Sequence, residues 1–394
     1  MSLNNTPSSE RVHIALFGKR NAGKSSVINA LTNQQLAIVS EIEGTTTDPV
    51  YKSMELLPIG PIVLIDTAGL DDEGSLGALR IQKSYQVLNK TDVAVLIVDS
   101  TKGLSELDVR LIERFRAKEI PFVVAFNKAD VTEPPIPYDL ECCIGISAKT
   151  GYHITELKEL IARQAKTSND CKKLVSDLLK PTDLVVLVVP IDSSAPKGRL
   201  ILPQQQTIRD ILDVHAIPLC VQLEELPVLL SSLKREPALV ITDSQAFSQV
   251  STMVPPHIKL TSFSILFARY KGILDSAVKG ANALDHLQNG DHILICEGCT
   301  HHRQCEDIGT VKLPRWIKTY SRKKLHFSFT SGTEFPEDLS PYDLIIHCGG
   351  CMLNDREMKH RLFTAKEQNV PITNYGTAIA HMNDILPRSL EPFL

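Results

Sequence analysis

Short apolar runs alternate with stretches of helical periodicity along most of the chain. The first run, Val12–Phe17, is followed by a glycine-rich turn and by a helical pattern from Lys24 to Leu31. Such alternation predicts parallel α/β sheets, because a parallel strand needs a crossover that a helix supplies. A helix over Ile154–Gln164 completes this first unit. Its other predicted strands are Ile62–Asp66, Val93–Val98, Pro121–Asn127 and Cys143–Ser147.

The same alternation of strands and helices continues through two smaller units. The second has predicted strands at Leu184–Pro190, Pro218–Gln222, Ala238–Thr242 and Ile258–Thr261, and predicted helices at Gln204–Val214, Leu223–Leu233 and Ser244–Val250. The third has predicted strands at His292–Cys296, Leu325–Phe329, Leu344–His347 and Val370–Asn374. Its helix Asn354–Gln368 begins with Asn354 as the N-cap. The predicted fold is therefore α/β, with three domains and mainly parallel sheets.

The domain boundaries follow from these units and from a polar, proline-containing stretch between the first two. We predict a flexible N-terminus at residues 1–10, a first domain at 11–166 and a linker at 167–182. A second domain follows at 183–263 and a third at 264–394.

Composition narrows the class of protein. The 394 residues are 43% hydrophobic and 22% charged, and the net charge is −4. These values predict a globular protein and argue against a nucleic-acid-binding surface. No apolar run reaches about 18 residues, and the polar N-terminus is not a signal peptide. We therefore expect a cytoplasmic protein that contacts neither membrane nor nucleic acid.

The nine cysteines are unevenly distributed. In a reducing compartment they are not expected to form disulfides. Cys142, Cys143 and Cys220 are interpreted as small core residues. Five others fall within the last 100 residues, near the carboxyl ends of two predicted strands: Cys296, Cys299, Cys305, Cys348 and Cys351. Because ligands bind at that edge of open α/β sheets, this clustering predicts a metal site.

The turn after the first strand carries a phosphate-binding motif. The residues Gly18-Lys-Arg-Asn-Ala-Gly23-Lys24-Ser25 match G-x-x-x-x-G-K-[ST], between a strand and a helix. In this motif backbone N–H groups surround phosphate oxygens, Lys24 contacts the β and γ phosphates, and the Ser25 hydroxyl binds Mg²⁺. The predicted loop contacts also include Asn21, Ala22 and Ser26.

Four further motifs follow in the order typical of GTPases. Gly44-Thr-Thr-Thr-Asp48 offers Thr45 and Thr46, and Asp66-Thr-Ala-Gly69 offers a carboxylate for a metal-bound water and an N–H for the γ-phosphate. In Asn127-Lys128-Ala-Asp130, the Asp130 carboxylate accepts two N–H groups of guanine that adenine lacks. Ser147-Ala148-Lys149 presents backbone N–H to guanine O6. Together the motifs predict a GTP-hydrolysing P-loop GTPase fold, followed by two smaller α/β domains. The residues predicted to take part in hydrolysis are Lys24, Thr46, Asp66 and Gly69.

This first domain resembles the TrmE/Era-type GTPases. The resemblance implies Asn21 as a K⁺ ligand and Thr46 as a Mg²⁺ ligand, with hydrolysis stimulated by K⁺. Leu70 replaces the glutamine that orients water in Ras-like enzymes, which predicts slow hydrolysis. Ala78 falls where the TrmE-type catalytic glutamate is expected. Three nearby acids, Asp71, Asp72 and Glu73, are left without a role.

The cysteine-rich end of the chain admits three interpretations. A thioredoxin-like C-x-x-C needs no third cysteine. Structural zinc needs four Cys or His ligands, which Cys299, Cys348, Cys351 and one histidine could supply. Three thiolates with an open fourth position suit a [4Fe–4S] cluster, and the glycines between Cys348 and Cys351 leave room and N–H donors for one. Spacing alone favours iron–sulfur over zinc without excluding zinc.

A second resemblance covers essentially the whole chain. The phrase E-G-C-T-H-H-R-Q-C-E-D-I-G-T-V-K-L-P-R-W-I (Glu297–Ile317) and the later H-C-G-G-C (His347–Cys351), behind a TrmE-like GTPase, resemble the [FeFe]-hydrogenase maturation GTPases, the HydF family. The resemblance implies a dimerisation domain at 183–263 and a cluster-binding domain at 264–394. It also implies Cys299, Cys348 and Cys351 as cluster ligands. His301 and His347 are either a fourth ligand or hydrogen-bonding groups beside the cluster.

The resemblance further implies a homodimeric scaffold that carries the diiron precursor of the hydrogenase active site. Its partners would be two radical-SAM maturases, which build the precursor, and the apo-[FeFe]-hydrogenase, which receives it. The alternative function is a TrmE/Era-like GTPase of tRNA modification or ribosome assembly, with structural zinc at the cysteines.

Overall fold

A computed structural model of the chain describes residues 6–32, 49–57, 59–69, 83–137, 140–165, 173–191, 200–298, 307–332 and 334–394. The chain divides into two compact units, Met1–Asp170 and Cys171–Leu394.

The first unit is built on a six-stranded sheet in the order β2-β3-β1-β4-β5-β6, in which only β2 is antiparallel to its neighbour. The strands are β1 Val12–Phe17, β2 Val50–Leu56, β3 Gly60–Asp66, β4 Val93–Asp99, β5 Phe122–Asn127 and β6 Cys143–Gly145. The helices are α1 Lys24–Thr32, α2 Glu106–Ala117 and α3 Ile154–Ala165, and residues 83–88 are also helical.

Both faces of this sheet are covered, which explains why its strands read as continuous apolar runs. Ile14 and Leu16 of β1 pack in the layer that includes Leu157 of α3. Ala15 and Phe17 point to the opposite layer, which includes Phe115 of α2. The alternation follows from the two-residue period of a strand.

The second unit holds two four-stranded parallel sheets, ordered β10-β9-β7-β8 and β12-β11-β13-β14. The strands of the first sheet are β7 Leu184–Val188, β8 Ile217–Val221, β9 Leu239–Thr242 and β10 Leu260–Ser262. Those of the second are β11 His292–Glu297, β12 His326–Ser331, β13 Leu344–His347 and β14 Ile372–Asn374.

Nine α-helices are described in this unit, and they cover both sheets. They are α4 Leu202–Asp213, α5 Leu226–Ser232, α6 Phe247–Met253, α7 Phe263–Tyr270, α8 Leu274–Ala281, α9 Leu313–Ser321, α10 Asp355–Glu367, α11 Tyr375–Met382 and α12 Leu386–Leu390. The last two helices contribute Ala380 and Leu386 to the core that also contains Val186 of β7, so the C-terminal segment packs on the sheet of the middle segment.

The α/β fold with parallel sheets is confirmed, and each predicted strand is present with its ends shifted by at most a few residues. Asn354 is the N-cap of α10, and its side chain accepts the N–H of Glu357 at 3.1 Å. Strand β2 was not predicted. Its alternating exposure at the edge of the sheet leaves no continuous apolar run.

Cys220 is not a core residue. It lies exposed on β8, an edge strand among the described strands of its sheet, so burial on both faces does not apply to it. Cys142 and Cys143 are half-buried. Within the predicted linker 167–182, Leu174 and Val175 are buried against α7, while residues 167–172 lie outside the described part of the chain. The domain boundaries stay a prediction.

None of the described helices combines the length and the apolar character that crossing a bilayer requires.

Candidate functional site

The phosphate loop joins the end of β1 to the start of α1. Gly18 and Gly23 have φ values of +144° and +95°, which side chains rarely adopt. A Cβ at Gly18 would lie 2.3 Å from the carbonyl oxygen of Ile97, and one at Gly23 would lie 2.2 Å from Nδ2 of Asn127. Both positions therefore require glycine, and the loop backbone can approach a ligand closely.

Lys24 is buried at the first position of α1, where its Nζ donates to the carbonyl oxygens of Gly18 and Lys19, each at 2.9 Å. The ammonium is thus held against the loop whose N–H groups would receive phosphate. Asn21 is exposed and left-handed, with φ +58°. Ala22 is buried, and Ser26 is half-buried in the first turn of α1.

Ser25 and Asp66 meet because β1 and β3 are paired in register, with Leu16 opposite Asp66. The Ser25 hydroxyl donates to Oδ2 of Asp66 at 2.8 Å. Among the residues described, Oδ1 of Asp66 is buried without a hydrogen-bond partner. A hydroxyl and a carboxylate with a spare oxygen are ligands that suit Mg²⁺, so this pair fits the ion that accompanies a nucleotide.

Burial raises the pKa of the Asp66 carboxyl. The hydrogen bond from Ser25 and the charge of Lys24 oppose that rise without cancelling it. A nearby cation stabilises the charged form of a poorly solvated carboxylate, which is consistent with a metal at this position.

The rest of the phosphate-side machinery is only partly within the described residues. Thr67 donates its hydroxyl to the carbonyl of Leu16 at 2.6 Å and so anchors the segment that leads to Gly69. The predicted residues Thr45 and Thr46 lie outside the described part of the chain, as do residues 70–82, which include Leu70 and Ala78.

Asn127, at the end of β5, ties the two halves of the nucleotide site together. Its Nδ2 donates to the carbonyl of Ala22 at 3.0 Å, and its Oδ1 accepts the N–H of Ala148 at 3.0 Å. Sequence reasoning identified Asn127 from its motif. Its role as a bridge between the phosphate loop and the Ser147–Lys149 loop is visible only in the structure.

Asp130 is exposed, and its Oδ1 accepts a hydrogen bond from the Ser147 hydroxyl at 2.7 Å. That hydrogen bond, with help from Lys149, lowers the pKa of Asp130 and keeps it an acceptor for guanine N–H groups. Lys128 has φ +67° and forms an ion pair with Asp99 at 2.6 Å. Sequence reasoning missed Asp99, which ends β4 beside β5.

The cysteine turn begins where β13 ends. Strands β11 and β13 are paired with Cys296 opposite His347, and the N–H of Cys348 donates to the carbonyl of Cys296 at 2.8 Å. The Sγ of Cys348 accepts the N–H of Gly298 at 3.0 Å and that of Gly350 at 3.4 Å. Two backbone donors aimed at one sulfur suit a thiolate that binds a metal.

Burial raises the pKa of the Cys348 thiol, and the N–H groups of Gly298 and Gly350 oppose the rise. Burial also raises the pKa of Cys351 to about 12, with the neighbouring Cys348 adding to it and Lys271 acting against it. Thiols in such surroundings lose their protons to a metal rather than to water.

Residues of α10 and the residue that follows α7 hold the segment after the turn. The buried Nζ of Lys271 donates to the carbonyl of Leu353 and pairs with Asp355, each at 3.0 Å. Gly350 has φ +64°, and a Cβ there would lie 2.7 Å from Sδ of Met358. Within the described atoms, nothing lies within 4 Å of a Cβ placed at Gly349, so the turn leaves space on that side.

His347 is fully buried, with Nδ1 2.7 Å from the carbonyl of Cys348 and Nε2 2.9 Å from Nη1 of Arg361. Burial, followed by the charge of Arg361, lowers the pKa of His347 to about 3, so the ring is neutral. Sequence reasoning missed Arg361, because nothing in its helical surroundings marks it as buried.

The donor set at the turn fits an iron–sulfur cluster or zinc. Cys348 and Cys351 supply thiols at one strand end. Cys299 and His301, which the motif adds, lie outside the described residues, and within the described ones no group of three ligands has metal-binding spacing. Cys296 is buried within β11, and burial raises its pKa to about 11. Cys305 is not described.

Three family models match successive parts of the chain. Residues 13–128 match "50S ribosome-binding GTPase", residues 174–272 match "Hydrogen maturase F dimerization domain", and residues 275–392 match "Hydrogen maturase F tetramerization domain". The two maturase models together span most of the second unit.

Relatives resemble the GTPase part. The chain is 35% identical over 150 residues to the tRNA modification GTPase MnmE of Bordetella petrii, covering 38% of this chain and 32% of that protein. It is 41% identical over 127 residues to MnmE of a Synechococcus species, covering 32% and 28%. The chain thus spans about a third of the length of these curated relatives.

Among solved structures, Aquifex aeolicus Era bound to GDP.AlF4− is similar, with 20% identity and a TM-score of 0.36, over 53% of this chain and 93% of that one.

We expect Asp66→Asn to have opposite effects on stability and on metal binding. Because burial raises the folded pKa above the ordinary 3.8, the carboxylate lowers stability progressively as pH rises from about 3.8 through the folded pKa. The nucleotide-free variant should therefore have a higher Tm than the wild type at pH 7, by a margin that vanishes near pH 3.8. Mg²⁺-dependent binding of a GTP analogue should weaken about tenfold or more.

The matched control is Asp108→Asn. Asp108 is the third residue of α2 and completes the capping box with the N-cap Ser105, whose N–H its Oδ2 accepts at 2.9 Å. This change should therefore lower the Tm and leave nucleotide binding unchanged. A lower Tm for Asp66→Asn at pH 7, or unaltered Mg²⁺ dependence, would contradict the assignment of Asp66. Both quantities are measured by calorimetry.

Proposed function

From the premise that this chain belongs to the hydrogen maturase F family, we propose that it is a GTP-hydrolysing scaffold that binds a [4Fe–4S] cluster. The scaffold assembles or delivers the diiron precursor of the [FeFe]-hydrogenase active site. The observation that carries the proposal is the joint occurrence of a complete guanine-nucleotide motif set in one unit and the Cys348 turn in a unit matched by both maturase domains.

The GTPase activity has the broadest support. The matched GTPase model and the relatives indicate GTP binding with Mg²⁺, followed by hydrolysis to GDP and phosphate. Water attacks the γ-phosphate in line, so the enzyme contributes mainly by positioning and by stabilising charge. Lys24 would neutralise phosphate charge, and Ser25 and Thr46 would hold Mg²⁺. Asp66 would hold a water bound to that ion, and the Gly69 N–H would contact the γ-phosphate. With Leu70 in place of glutamine, the proposed rate is slow.

K⁺ stimulation forms part of the proposal. Asn21 is exposed at the phosphate loop, and its left-handed backbone is a conformation that asparagine tolerates better than most residues. Its side-chain oxygen would be offered to a cation beside the phosphates, as the TrmE-type resemblance implies.

The cluster would be held by Cys348 and Cys351, together with Cys299. When bound, it supplies an iron site with one exchangeable position. The N–H groups of Gly298 and Gly350 would donate to the Cys348 sulfur, and the space beside Gly349 would accommodate the cluster. Structural zinc is the competing occupant, because Cys thiolates are also its usual ligands.

The partners follow from the proposed role. Two radical-SAM maturases would load the diiron precursor, and the apo-[FeFe]-hydrogenase would receive it, in a cytoplasm that keeps the thiols reduced. The GTP state would control partner binding or release rather than the chemistry at the cysteines.

The matched dimerisation and tetramerisation domains support oligomerisation, and we propose a homodimer formed through β8. The other edge strand of that sheet, β10, is fully buried, whereas Ile217 and Cys220 of β8 are exposed. On the β7 side, the N–H of Ile217 donates to the carbonyl of Asp183, and the carbonyl of Val221 accepts the N–H of Val189. By the alternation of a parallel ladder, the N–H of Cys220 then points to the free edge.

The alternative function is tRNA modification or ribosome assembly with structural zinc. The names of the relatives favour it, yet their similarity covers only about a third of this chain. The second unit matches different domains, so the maturase function is the better supported of the two.

We expect Asn21→Gly to abolish K⁺ stimulation of GTP hydrolysis while Mg²⁺-dependent GTP binding persists. Glycine keeps the left-handed backbone at no steric cost and removes only the carboxamide, whereas alanine would add strain. The measurement is the GTPase rate in matched KCl and NaCl. Equal stimulation by K⁺ in variant and wild type would remove Asn21 from the proposed K⁺ site.

We expect Cys348→Ser and Cys351→Ser each to abolish or strongly reduce the EPR signal of a reduced [4Fe–4S] cluster after anaerobic reconstitution with iron and sulfide. Thiolates, not hydroxyls, hold such clusters. The control Cys220→Ser, at an exposed cysteine outside the turn, should retain the wild-type spectrum and iron content. An unchanged signal in both turn variants would refute the ligand assignment.

We expect Cys220→Pro to reduce the subunit number in solution, because proline removes the outward N–H of β8 without touching the ladder to β7. Cys220→Ser keeps that N–H and should assemble as the wild type does. Light scattering coupled to size-exclusion chromatography gives the masses. A folded Cys220→Pro protein with the wild-type mass would mean that another surface forms the dimer.

A further inference from the structure

Arg361 is a fully buried charge on α10, placed behind the cysteine turn. The Nε and Nη2 of Arg361 lie 3.0 Å and 2.9 Å from Oε1 of Glu357, which accepts from both. Its Nη2 also donates to the carbonyl of Gly332 at 2.8 Å, and the guanidinium lies 5.1 Å from the ring centre of Phe335. Burying an ion pair of this kind contributes little net stability, so the stability of the fold does not by itself account for its position.

The remaining donor of Arg361, Nη1, lies 2.9 Å from Nε2 of His347. Because a guanidinium has no acceptor, Nε2 of His347 must be the acceptor and carry no proton. The ring proton is then on Nδ1, which donates to the carbonyl of Cys348 at 2.7 Å. Arg361 thereby selects one tautomer, and both ring nitrogens are committed to protein partners.

These contacts determine where Cys348 sits. Its carbonyl is held by His347 and its N–H by the carbonyl of Cys296. Its sulfur receives the N–H groups of Gly298 and Gly350. Helix α10 also supports the turn through Met358, which lies against Gly350. Cys348 is thus connected through His347 to a charge on the far side of β13.

We propose that Arg361 is a positioning residue, which holds His347 in the Nδ1–H tautomer so that the turn presents Cys348 in a fixed orientation and His347 stays out of the ligand set. The inference rests on the proposed cluster at Cys348 and Cys351. It assigns His347 to hydrogen bonding beside the cluster, and it leaves the fourth iron position to a different group.

The test uses the full-length chain and a double variant, Glu357→Gln with Arg361→Met, which removes both charges and leaves no unpaired carboxylate. The control is Arg388→Met. Arg388 is a partly buried arginine of the same unit, which donates to the carbonyls of Ser251 and Val254. Arg361→Lys serves as the conservative variant, because one ammonium donor can still reach His347.

The first readout needs no metal. In ¹⁵N NMR of the metal-free wild type, we expect the His347 ring to carry its proton on Nδ1 and none on Nε2. The double variant should lose this single-tautomer signature, Arg361→Lys should restore it in part, and Arg388→Met should keep it. A wild-type ring that is protonated on Nε2 or averages between tautomers would overturn the proposal.

The second readout is made after anaerobic reconstitution. In the double variant we expect a chelator to remove iron about tenfold faster, the lower end of the effect of groups that orient metal ligands, together with shifted EPR g-values. Arg388→Met should keep the wild-type spectrum even if its Tm falls. Wild-type rates and g-values in the double variant, or nitrogen coupling in wild-type pulsed EPR that His347→Ala removes, would refute the positioning role. If the wild type forms no cluster, the proposed function fails, while the NMR readout still decides the tautomer.

Discussion

In-register pairing of parallel strands is the constraint on which both candidate sites depend. Parallel neighbours end at the same edge of a sheet, so residues far apart in sequence leave their strands side by side. In the first unit, Leu16 of β1 lies opposite Asp66 of β3, and the loop after β1 therefore brings Ser25 to the Asp66 carboxylate. In the second unit, Cys296 of β11 lies opposite His347 of β13, and Gly298 therefore reaches the sulfur of Cys348.

At these edges the fold keeps polar groups buried that would be better solvated in water. Asp66 retains an oxygen without a partner among the described residues, and Arg361 is kept out of water by Glu357, His347 and Gly332. Each arrangement is costly for a fold that only needs to be stable. In the proposed function both would serve a bound ligand, because groups that are already oriented need little rearrangement. Under that proposal, stability and function oppose each other at these sites.

Much of the fold could be predicted from the sequence, for physical reasons that also explain the failures. Strands such as β1 and β13 are buried on both faces, so their apolar runs mark them. Strand β2 is exposed at an edge and has no such run, and the same exposure made the core assignment of Cys220 wrong. The GTPase motifs revealed residues such as Asn127, because phosphate and guanine chemistry demands fixed residue types. Asp99 and Arg361 act through contacts between separate elements, which no local pattern encodes.

The central claim is that the turn after β13 belongs to an iron–sulfur site in a GTP-hydrolysing scaffold. Its most direct test is the metal and sulfide content of the full chain, purified without exposure to oxygen. The account predicts iron and acid-labile sulfide in equal amounts, approaching one [4Fe–4S] cluster per chain, with little zinc. A colourless protein that contains zinc in a one-to-one ratio to the chain, and no sulfide, would contradict it.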